Sequence, residues 1–138
     1  MIDLEIRKHV ECTLEEKLTC VSLINQMINL SRIVRQDGIL SLEKIMDTEE
    51  DFLLRKGLLL LISGCRRDAI EDVLGTITAC SFKTGVELLR QLIIGERIVS
   101  IVNGDPTWLV QDKLTAFLGE DGVLWFEDRE VDEFRSRS

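Results

Sequence analysis

The chain has 138 residues, enough for one compact domain with an apolar core and too few for two independent cores. Its formal net charge of −8 and pI near 4.7 argue against a nucleic-acid-binding surface, because phosphate recognition needs clustered Lys and Arg. A membrane helix needs about 20 consecutive apolar residues; the longest apolar run here, residues 58–62, has five, so we predict a soluble cytoplasmic protein without membrane insertion.

The first predicted helix begins at a capping box, in which Thr13 and Glu16 can each accept a hydrogen bond from the other's backbone amide. A 3.6-residue apolar period then continues unbroken to Gln36. Gly38 suits the left-handed position that ends a helix. A short second helix is predicted over residues 39–46.

Four more helices are predicted downstream. Asp47 or Thr48 is expected to cap a helix over 52–62 that is apolar on nearly all sides and therefore buried. Asp68 is expected to cap the fourth helix, and the fifth runs over 85–102. Asp105 is expected to cap the sixth, with Pro106 in its first position, and that helix ends before Gly119. The predicted fold class is all-α: a single compact bundle of about five to six helices.

The two ends of the chain have a different pattern. Apolar and charged residues alternate over 2–7, and residues 123–126 are also strand-like, so a small β-ribbon between the termini is left open as an addition to the bundle. We divide the chain into an N-terminal extension (1–12), a helical domain (13–119) and an acidic C-terminal tail (120–138).

The residues that could support catalysis or metal binding are few. No two of the four cysteines have the C-x-x-C spacing, and His9 is the single histidine, which is too little for an ordinary zinc site. The cysteines are expected to be free thiols that act as small apolar side chains in the core. No hydrolase, phosphate-binding or dinucleotide motif occurs. We therefore predict no enzyme activity, no metal and no cofactor, and disfavour a small hydrolase or metal protein.

An ordered series of short segments is the most specific feature of the sequence. It begins with R-Q-D-G-I-L-S-L-E at 35–43 and F-L-L-R-K-G-L at 52–58, followed by L-I-S-G at 61–64. It continues with G-E-R-I-V-S-I-V-N-G-D-P at 95–106 and K-L-T-A-F-L at 113–118. Together, over residues 17–118, these segments resemble the cytoplasmic domain of the flagellar motor stator protein MotA family (MotA/TolQ/ExbB-like).

The resemblance is incomplete in ways that limit what it implies. Members of that family have four membrane spans, whereas only about ten residues near 79–85 stand here where two of those spans would lie. The family's acidic-then-glycine and E-N-P residues are Ser63-Gly64 and Gly104-Asp105-Pro106 in this chain. Because the ion path has no counterpart, the resemblance implies the cytoplasmic fold without ion conduction.

Arg35 and Glu43 are the residues to which the resemblance assigns a partner-binding role. In that family the matching arginine and glutamate lie on the cytoplasmic surface and pair with charges on the rotor ring. The residues themselves are also consistent with two ordinary surface charges, since a cation is favourable near the end of a helix. We expect Glu43 to lie on the polar side of its turn, with Leu42 and Ile45 facing inward.

Trp125 and Phe126, in the acidic tail, are a second candidate partner-binding site. Aromatic residues among acidic ones can form a short linear motif that docks on a basic groove. The alternative, which we favour, is that both rings pack over the end of the bundle.

The function predicted from these observations is a non-enzymatic cytoplasmic protein–protein interaction module related to the stator's cytoplasmic domain. Its expected partner is a protein, with a flagellar rotor or stator component as the first candidate, and we expect a monomer or weak dimer. The alternative is a free-standing regulatory or scaffold protein that has the same fold and no flagellar role.

Overall fold

The computed structural model describes the backbone of residues 9–137 and the side chains of residues 9–129. This part of the chain folds into eight α-helices and two short 3₁₀ turns, with no strand, which confirms the all-α prediction. The helices are α1 (Leu14–Leu18), α2 (Val21–Asp37), α3 (Leu42–Thr48), α4 (Phe52–Ile62), α5 (Arg67–Cys80), α6 (Gly85–Asn103), α7 (Thr107–Thr115) and α8 (Gly119–Arg137). The 3₁₀ turns are Ile39–Ser41 and Ala116–Leu118.

The predicted capping box is present, but the helix that it starts is shorter than predicted. The Glu16 amide donates to Thr13 Oγ1 at 3.1 Å, and the Thr13 amide donates to Glu16 Oε1 at 3.1 Å. After Leu18 the backbone tightens, since the amides of Thr19 and Cys20 donate to the carbonyls of Glu16 and Lys17, three residues back. The predicted single helix is therefore two, α1 and α2. At the other end of α2, Gly38 has φ +81°, as expected for the residue that ends the helix.

The predicted caps of α4 and α5 are wrong. Helix α3 continues through Thr48, so Asp47 and Thr48 lie inside it and Asp51 caps α4 instead, accepting from the Leu54 amide at 2.9 Å. Asp68 does not cap α5, because that helix already begins at Arg67 and Asp68 lies in its first turn. Asp68 is still close to a helix start, where a carboxylate is favourable, whereas Asp47 lies in the last turn of α3.

The strand-like pattern of residues 123–126, which left a β-ribbon open, forms no strand, since Val123, Leu124, Trp125 and Phe126 belong to α8. Gly122 and Phe126, four residues apart, are both buried, which is the spacing of one helix face. Four residues are too few to distinguish strand from helix by their apolar pattern. The other half of the proposed ribbon, at residues 2–7, lies outside the described residues.

Helix α6 is the centre of the bundle and contacts α2, α4, α5 and α7. Its inward side chains meet those of the surrounding helices in one apolar core. Fully buried members of that core are Ile24, Met27, Leu58, Ile70, Ile93, Ile98 and Leu114. None of the helices within the described residues combines the length and the apolar character that a membrane span needs.

The close approach of α4 to α6 depends on Gly57. A Cβ atom at this position would lie 2.6 Å from Ile98 Cγ1, closer than two carbon atoms can pack. Gly75, in α5, has open space where its Cβ would be. Gly57 is therefore required by the close packing of two helices, whereas no close contact requires a glycine at position 75.

This difference predicts opposite effects for the same substitution. Gly57→Ala should lower the free energy of unfolding by about 1–3 kcal/mol, because the added methyl group overpacks the α4–α6 contact. Gly75→Ala should raise it by about 0.5–1 kcal/mol, because alanine loses less backbone entropy in a helix. Urea denaturation of both variants measures these changes, and a destabilised Gly75→Ala variant would contradict the open space described at α5.

Candidate functional site

The turn between α2 and α3 carries the two charged residues that the resemblance singles out. After Gly38 reverses the chain, the 3₁₀ turn Ile39–Ser41 leads into α3. Leu42 is fully buried and anchors this turn to the core, and Ile45 packs against the core, as predicted. Leu40 points the other way and is 69% exposed. The turn therefore presents an apolar side chain to solvent on a rigidly held backbone.

Arg35 and Glu43 lie on either side of this turn in the chain. Arg35 is in the last turn of α2 and Glu43 is in the first turn of α3, so each has the sign of charge that its helix end stabilises. Both side chains are exposed, and neither forms an ion pair within the described part of the chain. We call the exposed set Arg35, Ile39, Leu40 and Glu43 the α2–α3 surface.

The α2–α3 surface has the chemistry of a small docking site. An exposed apolar residue accompanied by charges of both signs can be covered by a protein partner that offers the complementary charges. Among residues 9–129, no cluster of three or more His, Cys, Asp or Glu could hold a metal ion.

The two aromatic residues predicted as a second partner site have different environments. Phe126 is only 8% exposed and belongs to the apolar core. Trp125 is partly buried against that core, and the guanidinium of Arg129 lies 3.9 Å from the centre of its ring. This stacking covers a face of the indole. The structure thus places both rings against the bundle.

The four cysteines are free thiols, but they are not all in the core. Cys20 is buried, and its removal from solvent raises the pKa of its thiol. Desolvation also raises the pKa of the Cys12 thiol. Cys80 is exposed at the end of α5, contrary to the prediction of a core position, because the apolar face of α5 ends before this residue.

The most unusual polar group in the structure is the side chain of Arg97, which is 1% exposed in the middle of α6. Its Nε donates a 2.6 Å hydrogen bond to the carbonyl of Met27, and a second guanidinium nitrogen donates to Ser31 Oγ. Desolvation lowers the pKa of Arg97 from 12.5 to about 10. Arg97 thus joins α6 to α2 through hydrogen bonds in an apolar environment, where unmade ones would be costly.

A second polar cluster joins the end of α6 to α7. Lys113 Nζ donates a 2.7 Å hydrogen bond to Asp105 Oδ2 and lies 3.7 Å from Glu96 Oε1. The hydrogen bond from Lys113 is the main reason that the pKa of Asp105 is below its ordinary 3.8. The predicted helix cap at Asp105 is therefore wrong: Pro106 occupies the cap position, and the carboxylate binds Lys113 instead.

An apolar cleft between α5 and α6, closed at one end by α7, was not foreseen from the sequence. It has a volume of about 930 Å³, and we call it the α5–α6 cleft. Small residues on the two facing helices, including Gly75, Ala79 and Gly95, leave the space that forms it. Their helical spacing in the sequence was the signal that could have indicated a groove.

The chain was compared with protein-family models, with curated proteins and with solved structures, and no match was found in any of the three. The resemblance to the MotA family therefore stays a prediction that rests on the segments quoted above.

The buried arginine predicts a graded response to substitution. Arg97→Ala should lower the free energy of unfolding by about 2–5 kcal/mol, because it leaves a cavity and removes the hydrogen bonds to α2. Arg97→Met should cost clearly less, because methionine refills most of the volume without a charge to desolvate. Chemical denaturation at pH 7 measures both changes. Equal losses for the two variants would contradict this account.

Arg97 also predicts a pH dependence whose sign follows from its lowered pKa. Between the folded value of about 10 and the ordinary 12.5, the unfolded chain binds more protons at this site than the folded one. The stability of the wild type relative to Arg97→Met should therefore rise as the pH increases from 8 to 10.5. A constant difference over this range would show that Arg97 keeps its proton in the folded state.

Asp105 predicts a dependence at acidic pH. Because its pKa is lowered in the folded state, its carboxylate stabilises the fold above pH 3.8, and this contribution is lost as the pH falls through the folded value. Asp105→Asn should therefore be less stable than the wild type at pH 7, and the difference should shrink between pH 5 and pH 2. Asp72→Asn, at an exposed position of α5, is the matched control for the loss of one negative charge.

Proposed function

We propose that this protein is a non-enzymatic cytoplasmic protein–protein interaction module related to the cytoplasmic domain of the flagellar motor stator. In this proposal it binds its partner through the α2–α3 surface. The observation that carries it is the exposure of Leu40 beside Arg35 and Glu43, which form no ion pair with the rest of the described chain. A leucine held out into solvent by a well-anchored turn is stabilised once a partner covers it.

The charges on this surface suit recognition of a charged partner. Arg35 and Glu43 are already solvated and exposed, so pairing them at the rim of an interface mainly sets orientation and the rate of association. Their helix-end positions limit the motion of the backbone that carries them. Pairing either charge with a partner therefore costs less conformational entropy than pairing a charge on a flexible loop.

The expected partner follows from the ordered segments that resemble the stator family. Residues 35–43 are the first of those segments and contain the whole α2–α3 surface. In that family the corresponding charges face the rotor ring, so a rotor component is the first partner to test and a stator component is the second. We further propose a monomer or weak dimer, since stator rings assemble mainly through membrane helices.

Charge reversal on the α2–α3 surface tests this proposal. Arg35→Glu and Glu43→Lys should each weaken binding to the purified rotor protein at least tenfold, and binding should weaken as salt rises. Both variants should keep their free energy of unfolding within about 0.5 kcal/mol of the wild type, as exposed substitutions usually do. Affinity can be measured by titration calorimetry at two salt concentrations, and stability by urea denaturation.

Matched controls separate contact from net charge. Arg66→Glu and Glu120→Lys make the same changes in charge at exposed positions elsewhere on the bundle and should leave the affinity unchanged. Leu40→Asp, which removes the apolar centre, should weaken binding in the same way as the charge reversals. Reversal of the matching charge on the rotor protein should restore the affinity of the corresponding variant. Equal loss in the controls would overturn the proposed site, and no binding by the wild type would overturn the flagellar role.

A further inference from the structure

One face of α4 is left uncovered by the described part of the chain. Phe52, Arg55, Lys56 and Leu59 stand at positions i, i+3, i+4 and i+7, so their side chains share one side of the helix. Phe52 is 70% exposed and Leu59 is 42% exposed. Arg55 and Lys56, between them, form no ion pair with any described residue. We call these four residues the α4 face.

The charge of the α4 face is opposite in sign to that of the whole chain. The face has two cations, whereas the chain has a net charge of −8. Exposed apolar side chains are stabilised when another surface covers them, and unpaired cations favour a surface that is acidic. The partner that fits the α4 face is therefore an acidic surface with an apolar centre.

Helix α8 has such a surface. Asp121, Leu124, Glu127 and Asp128 are exposed on the side of α8 opposite to the buried Phe126. Leu124 is 52% exposed, with acidic residues on both sides of it. The three carboxylates also lack an ion-pair partner in the part of the chain that the structure describes. We call these four residues the α8 face.

The two faces agree in length and in the order of their residues. The α4 face covers 52–59 and the α8 face covers 121–128, and each extends about 10 Å along its helix. The apolar residues of the α4 face are at its ends, which leaves room for Leu124 between Phe52 and Leu59. There Leu124 meets the aliphatic stems of Arg55 and Lys56. The charged groups of those two residues can then reach the carboxylates of the α8 face, which lie about one helical turn from Leu124.

A second copy of the chain supplies the surface that each face lacks. Both faces are exposed in a single copy, so neither covers the other within one chain. We propose that the α4 face of one copy binds the α8 face of a second copy, in a two-fold dimer in which this contact forms twice. A contact with so few residues belongs to the weak, transient class of complexes. It uses no residue of the α2–α3 surface and is therefore independent of the proposed function.

Sedimentation equilibrium of the full chain tests whether the dimer forms. Between about 10 µM and 1 mM, where weak complexes dissociate, the mean mass should rise from 15.8 kDa toward twice that value. The rise should become smaller as salt increases, because salt screens the charge pairs. Leu124→Ser, which changes no charge, should weaken self-association at least about tenfold, because it removes the apolar centre of a contact that occurs twice.

Charge reversal tests which two faces meet. Arg55→Glu with Lys56→Glu makes the α4 face negative, and Glu127→Lys with Asp128→Lys makes the α8 face net positive. Each double variant alone should self-associate at least about tenfold more weakly than the wild type, because like charges then face each other. An equimolar mixture of the two should recover dimers of near wild-type affinity. In the mixed dimer, one contact joins the two reversed faces and the other joins the two unchanged faces, so both are attractive.

Two further double variants control for net charge. Arg32→Glu with Arg66→Glu, and Asp72→Lys with Asp112→Lys, make the same changes in net charge at exposed positions outside both faces. In 0.15 M salt, which screens charges more than about 8 Å apart, each should self-associate within about twofold of the wild type. Mixing these two controls should bring no gain. Circular dichroism of each variant confirms that the helices are intact.

Four results would overturn the proposal. The first is a mass of 15.8 kDa for the wild type at every concentration. The second is a mixture of the two folded reversal variants that stays monomeric, since the pairing of these faces requires the recovery. The third is equal weakening in the control variants, which would assign the effect to net charge. The fourth, which decides even where a reversal variant does not fold, is wild-type self-association by folded Leu124→Ser.

Discussion

The hydrogen bonds of one buried arginine hold the centre of this bundle to its longest neighbour. Arg97 lies in α6, the helix that contacts four others, and its guanidinium donates to Met27 and Ser31 of α2. Burying a guanidinium lowers its pKa and is costly unless its donors are used, so the two helices are held in one register. Purely apolar contacts would allow more than one way of packing α2 on α6.

The contact of Arg97 with Ser31 also helps to fix the position of the α2–α3 surface. Ser31 lies one helical turn before Arg35, so the end of α2 that leads into the exposed turn is held by a bond to the core. Leu42 anchors the turn from its other side. Between these two anchored ends, Leu40 is exposed. Exposure here results from the packing around it, which is what a docking surface needs.

The side of α6 that faces the α5–α6 cleft is different, because the described residues leave part of it uncovered. Gly95 leaves open space on α6, and Gly75 does so on α5, and both glycines line the α5–α6 cleft. Gly57 allows close packing of α4 on α6, whereas these glycines create a gap. Glycine thus serves two purposes on the faces of one central helix.

The sequence by itself determined the helices and several of their ends, because caps, apolar period and left-handed glycines act within a few residues. The bounds of α4 and the capping box at Thr13 follow from such local rules. It could not determine the roles of charged residues whose partners are distant in the chain. Asp105 was predicted as a helix cap because Pro106 follows it, but its carboxylate accepts a hydrogen bond from Lys113 instead. In the sequence, Arg97 interrupts an apolar helix, and only the structure shows that α2 supplies hydrogen-bond acceptors for it. Only the tertiary structure decides such cases, since the environment of a polar group depends on which helices pack around it.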